Sequence, residues 1–365
     1  MRKAKRDGQD NSQPPIFGKE KELCWINWIK VLCMFFVYMF HMCEYMRFDD
    51  LGLKKFYVPF FVNAFFFTSG YLLFSKQLSC PIVNQSVRGY IHPGGGGYNA
   101  LKSVINRLIF PTLLFSSFLY FPKKIIRGEA IEFSSFACDT ILGGSLWFTC
   151  ALTVAEVLVI LLLSTRVKTI WFYFVASSVL ALSSMALVHY NITVMNNVSL
   201  PWYYKAGMVS TLWITGGGVL ARYEPFFERI SRGWLRVPIT LLMFYAAYLL
   251  SQTADLSVQQ GHINMSGFLT IGASIWIVVS FCRLLPDLKL VNFLGRRSLG
   301  LYFLSGAIPN TFAAIMVKMG IEMTYGLYII ISVVSFLLAC VIVSWMYKFI
   351  PFVFDFQKLW TKKGL

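Results

Sequence analysis

The sequence predicts an all-α protein: a polytopic bundle of about ten membrane-spanning helices, with both termini in the cytoplasm. Three observations support this. The 365 residues are 57% hydrophobic and 17% aromatic, with a mean hydropathy of +0.61, which leaves too little polar surface for a water-soluble domain. Apolar runs of about 20 residues, the length that crosses a bilayer as a helix, recur along the chain. Lysine and arginine gather at alternate ends of those runs, as they do where basic residues stay on the inner side.

The runs cover roughly 25–46, 56–75, 103–121, 142–164, 169–190, 202–221, 236–252, 267–285, 298–317 and 325–350. With the N-terminus inside, 25 Lys and Arg residues fall on the inner side. Eight fall outside: Arg47, Lys54, Lys55, Lys123, Lys124, Arg127, Lys205 and Lys318. Residues 1–23 form a basic arm with almost nothing apolar and are expected to be disordered; 24–351 form the membrane domain and 352–365 a basic tail. The first run follows that polar arm and is too long for a signal h-region, so it is expected to remain in the mature protein. The net charge of +16 sits at the ends of apolar runs, not in a patch interleaved with aromatics, and this argues against a nucleic-acid partner. Eight cysteines are scattered with no Cys-x-x-Cys and no grouping with the four histidines. They are expected to be packing residues, and no bound metal is expected.

The longest connection, about 76–102, holds Tyr90-Ile-His-Pro-Gly-Gly-Gly-Gly-Tyr98. Four glycines can cradle a phosphate, but no Gly-Lys-Ser/Thr follows, and a flexible linker is the better reading. The outer connections 122–141, 191–201 and 253–266 leave no room for a soluble catalytic domain, so chemistry must occur within or at the membrane. Asn191-Ile-Thr193 and Asn197-Val-Ser199 match glycosylation acceptors, but lie too close to the membrane to carry weight.

The first run is interrupted by Asn27, Lys30, His41 and Glu44. Their spacings approximate whole turns of a helix, so they share one face. A charge at the centre of a spanning helix costs about 2.5–3.5 kcal/mol on insertion scales, so such a stripe marks a functional cavity. Lys30 and His41 stand about 16 Å apart along the axis, at 1.5 Å per residue, and cannot touch. Lys30 lies near the inner end and His41 in the outer half. Glu44, three residues after His41, is placed to hydrogen-bond the imidazole and support it as a base; alternatively the pair marks the outer interface.

A basic residue, ten intervening positions and a histidine in the first helix, here Lys30 and His41, resemble the start of the acyltransferase-3 family of integral membrane acyltransferases. Asn27 stands where that family often has an acidic residue. Phe65-Phe-Phe-Thr-Ser-Gly-Tyr-Leu-Leu73, Asn106-Arg-Leu-Ile-Phe-Pro111, Ser145-Leu-Trp-Phe148 and Leu294-Gly-Arg-Arg-Ser-Leu-Gly-Leu-Tyr-Phe-Leu304 continue the resemblance, in order, over residues 24–350. Two positions depart from it. Only Lys102 and Arg107 precede the third helix, where the family often has several arginines, and Ser305 stands where it often has a histidine.

The resemblance implies transfer of an acyl group, most simply acetyl, from cytoplasmic acetyl-CoA or another acyl-CoA. The acceptor would be a hydroxyl of a cell-envelope glycan or its lipid-linked sugar precursor, and the protein would sit among the lipids of a bacterial cytoplasmic membrane. It implies no bound cofactor. His41 would act as base or acyl carrier and Glu44 would orient it, while Lys30 and Arg107 would hold the donor, with Asn27, Ser69 and Tyr302 lining the site. Blander roles stay open. Ser69-Gly70 fits close helix packing, Arg107 an inner-side anchor, and Arg296 and Arg297 anchors of the ninth run. His92, His189 and His262 fit solvated structural roles. Glu156, in mid-span, must face protein or water, with no partner visible. A transporter or substrate-binding module without transfer chemistry is the alternative, and an inverted repeat with paired broken helices would favour it.

Overall fold

The computed structural model describes residues 21–50, 52–79, 90, 92–93, 95–167, 169–193, 201–232 and 236–356. The basic arm before Lys21, the second glycosylation tripeptide and the end of the tail lie outside these. Among the described residues the chain is helical and no strand forms.

Sixteen helices are used below. They are α1 (Lys21–Met46), α2 (Lys54–Phe61), α3 (Asn63–Ser79), α4 (Gly96–Val104), α5 (Phe110–Arg127), α6 (Phe133–Thr140), α7 (Trp147–Ser164) and α8 (Ile170–Thr193). The second half of the chain adds α9 (Tyr204–Arg222), α10 (Glu224–Arg232), α11 (Arg236–Ser251), α12 (Met265–Cys282), α13 (Lys289–Gly295), α14 (Ser298–Leu304), α15 (Ala307–Lys318) and α16 (Tyr325–Phe349).

Eight helical segments are long and apolar enough to cross a membrane, and the protein is an integral multi-pass membrane protein. All ten apolar runs are helical, but two fall short as spans by length and hydropathy. Helix α11 has only 16 residues. Helix α9 has 19 but spends them on Ser210, Thr211, Thr215 and Gly216–Gly218. Those small residues have a structural use, because α9 packs against α3, α7 and α8. At its crossing with α3 a Cβ on Gly70 would lie 1.8 Å from the Ile214 carbonyl oxygen, and one on Gly217 would lie 2.0 Å from that of Phe67. Small residues let backbones approach closely where the surrounding lipid supplies no hydrophobic drive between helices.

Helix α1 is the axis of the bundle and touches α2, α3, α12, α13, α14, α15 and α16. Tyr38, fully buried, donates its hydroxyl to the Leu301 carbonyl at 2.8 Å, and Tyr328 does the same to Met39 at 3.2 Å.

Two predicted spans are broken. The second divides at Val62 into α2 and α3, with Pro59 inside α2; the ninth divides at Ser305–Gly306 into α14 and α15. The third starts earlier than expected, at Gly96, with Gly95 before it in extended conformation. The glycine run, expected as a flexible linker, thus opens a helix where it is described. A Cβ on Gly97 would meet the buried Tyr90 ring at 2.4 Å, so that glycine serves close packing. Between α4 and α5 the same span carries one π turn, Ile105–Ile109. Such insertions reorient the side chains of the turn and recur at functional sites.

Candidate active site

The π turn puts Arg107 over α7, where its Nη2 donates to both oxygens of Glu156 at 3.1 and 2.9 Å. Ser69, on α3, donates its hydroxyl to the same carboxylate. Glu156 therefore has the partners that its mid-span position demands. Its side chain is 5% exposed and that of Arg107 is 50% exposed, so the acid is locked in and the guanidinium still faces an opening. That opening is a cavity of about 250 Å³ lined by Lys30, Ser69, Arg107, Phe148, Arg296 and Tyr302, among others. Each segment that carries the family resemblance contributes to this wall, although the lining residues these segments supply lie up to 272 positions apart in the chain. Lys30, Arg107 and Arg296 against Asp355 leave the lining net positive, and Glu156 behind Arg107 does not reverse the sign.

At the other end of α1, His41 lies between two further cavities. One, of about 210 Å³, is lined by Tyr45, Ser116, Lys123, Asp139, Trp147, Ser305, Asn310 and Thr311. Lys123 and Asp139 approach to 3.8 Å across it, and the buried Ser116 hydroxyl has no hydrogen-bond partner among the described residues. The other, of about 270 Å³, is lined mainly by apolar side chains of α1, α2 and α3 and closed by residues 256–260. Asn63, in that wall, donates to the Pro59 carbonyl at 3.0 Å, and its Oδ1 is unpartnered among the described residues.

The closing loop is tied down by polar groups. Asn264 Oδ1 accepts from the Asp255 and Gly267 amides at 2.9 and 2.8 Å, and Asp255 pairs with His262. Burial pushes the Asp255 carboxyl upward, but the Ser257 and His262 hydrogen bonds outweigh it and hold the group below its usual range. His262, expected as a solvated structural residue, thus has a structural partner.

Tyr302 lines all three cavities. Its hydroxyl accepts from the Phe148 amide at 3.2 Å, and the two rings meet edge to face at 5.0 Å. That amide belongs to the first turn of α7, where backbone N–H groups lack helical partners. The turn begins there because Leu146 leaves helical geometry, with φ −122° and ψ 62°. Tyr302 and Phe148 thus stand where the Lys30 and His41 cavities meet.

Two expected residues lie elsewhere. Asn27 is buried between α1 and α13, where its Nδ2 donates to Asn292 at 2.9 Å and its backbone packs on Gly295; it joins helices and does not line the cavity. Glu44 does not show the hydrogen bond to His41 that its spacing suggested. The turn after α1, with Arg47 at φ 50°, brings Lys54 back alongside, and Lys54 Nζ bonds Glu44 Oε1 at 2.5 Å. In place of Glu44, Tyr45 stacks on the imidazole at 5.6 Å and 13°. Sequence reasoning missed Tyr45, one helical turn after His41, and also Asp139, Asn310 and the 256–260 loop, which carry no motif and reach the His41 cavities only through the fold.

A family model described as an acyltransferase domain matches residues 24–345. No curated protein matches the chain, and no solved structure does.

Proposed function

We propose, from the premise that the chain belongs to the acyltransferase-3 family, that this membrane transferase moves an acyl group, most simply acetyl, from cytoplasmic acyl-CoA to a hydroxyl. The acceptor in this reading is a cell-envelope carbohydrate or its lipid-linked precursor on the far side of a bacterial cytoplasmic membrane. One observation carries the reading: Lys30 and His41 share a helix yet open into different cavities, and Tyr302 borders them all. A donor and an acceptor approaching from opposite faces require such a meeting point.

In this reading Lys30, Arg107 and Arg296 hold the phosphates of coenzyme A, and the pantetheine arm lies along α1 towards Tyr302. Guanidinium and ammonium groups suit phosphate oxygens through charge-assisted hydrogen bonds. The acceptor occupies the cavity of Lys123, Asp139 and Asn310, whose donors and acceptors match hydroxyls and whose Trp147 and Tyr45 rings offer stacking faces. His41 takes the proton of the acceptor hydroxyl, and the oxygen attacks the thioester carbonyl. The C–S bond breaks, an ester C–O bond replaces it, and the thiolate leaves with the proton that His41 held.

The breaks at Val62 and at Ser305–Gly306 favour a second reading, a transporter that uses discontinuous helices around a solute. Cells distinguish the two. Deleting the gene should remove an alkali-labile, ester-linked acyl group from an envelope glycan, read as a mass loss. Restoring it as His41→Gln should cut the ester by about 10²–10⁴-fold at equal membrane protein. Lys30→Arg should retain much of it, whereas Lys30→Met should not. An unchanged glycan with impaired solute uptake would replace the first reading by the second.

A further inference from the structure

We propose that the apolar cavity beside His41 receives the acyl chain of the donor and that it admits chains longer than acetyl. This rests on the acyl-CoA reading above and adds the class of acyl group.

The cavity wall is built by Val37, Phe40, Val58, Phe61, Val62 and Phe65, from three helices that meet at the break after α2. Its far side, Ser257, Gln259 and Gln260, is polar but neutral, and none of its lining residues carries a formal charge when His41 is neutral, whereas the cavity on the other side of His41 has Lys123 and Asp139. An alkyl chain gains by leaving water for the first and would strip hydration from charges in the second. Continuity points the same way. The apolar cavity shares Phe65, Phe148 and Tyr302 with the Lys30 cavity, while the charged one shares only Tyr302 with it. A thioester arriving from Lys30 along α1 therefore meets the apolar wall as it reaches His41. The hydroxyl approaches from the opposite side of the imidazole. The carbonyl carbon then sits at the junction, with its chain on one side and its attacker on the other. Asn63 Oδ1, unpartnered among the described residues, adds one acceptor to the wall that a hydroxyl on the chain would satisfy.

Two unreactive thioethers, S-ethyl-CoA and S-hexyl-CoA, test this by equilibrium binding to the purified full-length protein in nanodiscs, with empty nanodiscs as blank. Each buried methylene is worth about fourfold in affinity, so S-hexyl-CoA should bind at least about tenfold more tightly than S-ethyl-CoA. In Val58→Phe and, separately, Val62→Phe, whose added rings occupy the chain's space, the two affinities should converge. Either variant suffices if the other does not insert. Equal affinities in the parent, or an advantage for S-hexyl-CoA that survives both substitutions, would overturn the acyl-chain assignment and leave the coenzyme A reading standing. Failure of both thioethers to bind would remove the coenzyme A reading and this assignment together.

Discussion

Arg107 and Glu156 form one ion pair but are not equivalent, because the carboxylate is 5% exposed and the guanidinium 50%. Removing the arginine strands a charge that cannot reach water, at a cost of about 3–5 kcal/mol for a fully buried pair. Removing the acid frees a cation that can swing into the cavity. Arg107→Ala should therefore lower the amount of folded protein in the membrane far more than Glu156→Gln does. Arg107→Leu with Glu156→Leu should restore it, since replacing both charges by apolar groups is often neutral. Detergent-resistant protein, measured by size-exclusion chromatography, checks this; equal losses in both single variants would show that the asymmetry of burial does not govern the pair. The sequence made Glu156 visible as an acid in mid-span, but its partners lie 49 and 87 positions away, and only the π turn turns Arg107 to meet it. The same limit explains Glu44. Helical spacing put it near His41, and a lysine ten residues on took it away.

At the scale of elements, hydropathy located the helices and failed where a helix is lined by protein on several sides. Helix α9 needs no greasy surface because α3, α7 and α8 cover it, and its glycines serve contact and not flexibility. The break in the second run was illegible, since nothing at Val62 forbids a helix, whereas the break in the ninth was open to reading from Gly306 and from Pro309, which cannot donate to the Ser305 carbonyl four residues back. Pro59 lies within α2 and not at its end. The Ser69-Gly70 pair divides into two roles along one helix: Gly70 admits the Ile214 carbonyl and Ser69 bonds Glu156. Gly70→Ala should therefore prevent α3 from seating on α9, because a backbone oxygen cannot move aside as a flexible side-chain end can. Gly272→Ala, on α12, has nothing within 4 Å of its Cβ and should be tolerated. Yields of folded protein from the two alanine variants provide the test; a parental yield for Gly70→Ala would mean that the crossing is looser than its geometry.

At the scale of the molecule, charge alone makes a testable prediction of membrane orientation. The basic residues divide 25 to 8 between the two sides if the chain crosses ten times with its N-terminus inside. A bias of that size, close to the ends of spans, sets orientation. The count depends on α9 and α11 crossing as well as the eight longer segments, because losing one crossing would reverse every side after it. The position of the site bears on the same question. Lys30, Arg107 and Arg296 share one cavity and all three fall on the inner side of the ten-span scheme, whereas Lys123, beside His41, falls on the outer side. Both ends of the candidate path thus agree with the charge count, although the count uses no contact between helices. Reporter fusions after about residue 195 or 260 should therefore report the outer side, and fusions after about 230 or at the C-terminus the inner side. A C-terminus on the outer side would end the ten-span scheme. It would keep Lys30, Arg107 and Arg296, which line one cavity, on the same side only if the crossing that is lost lies after Arg296.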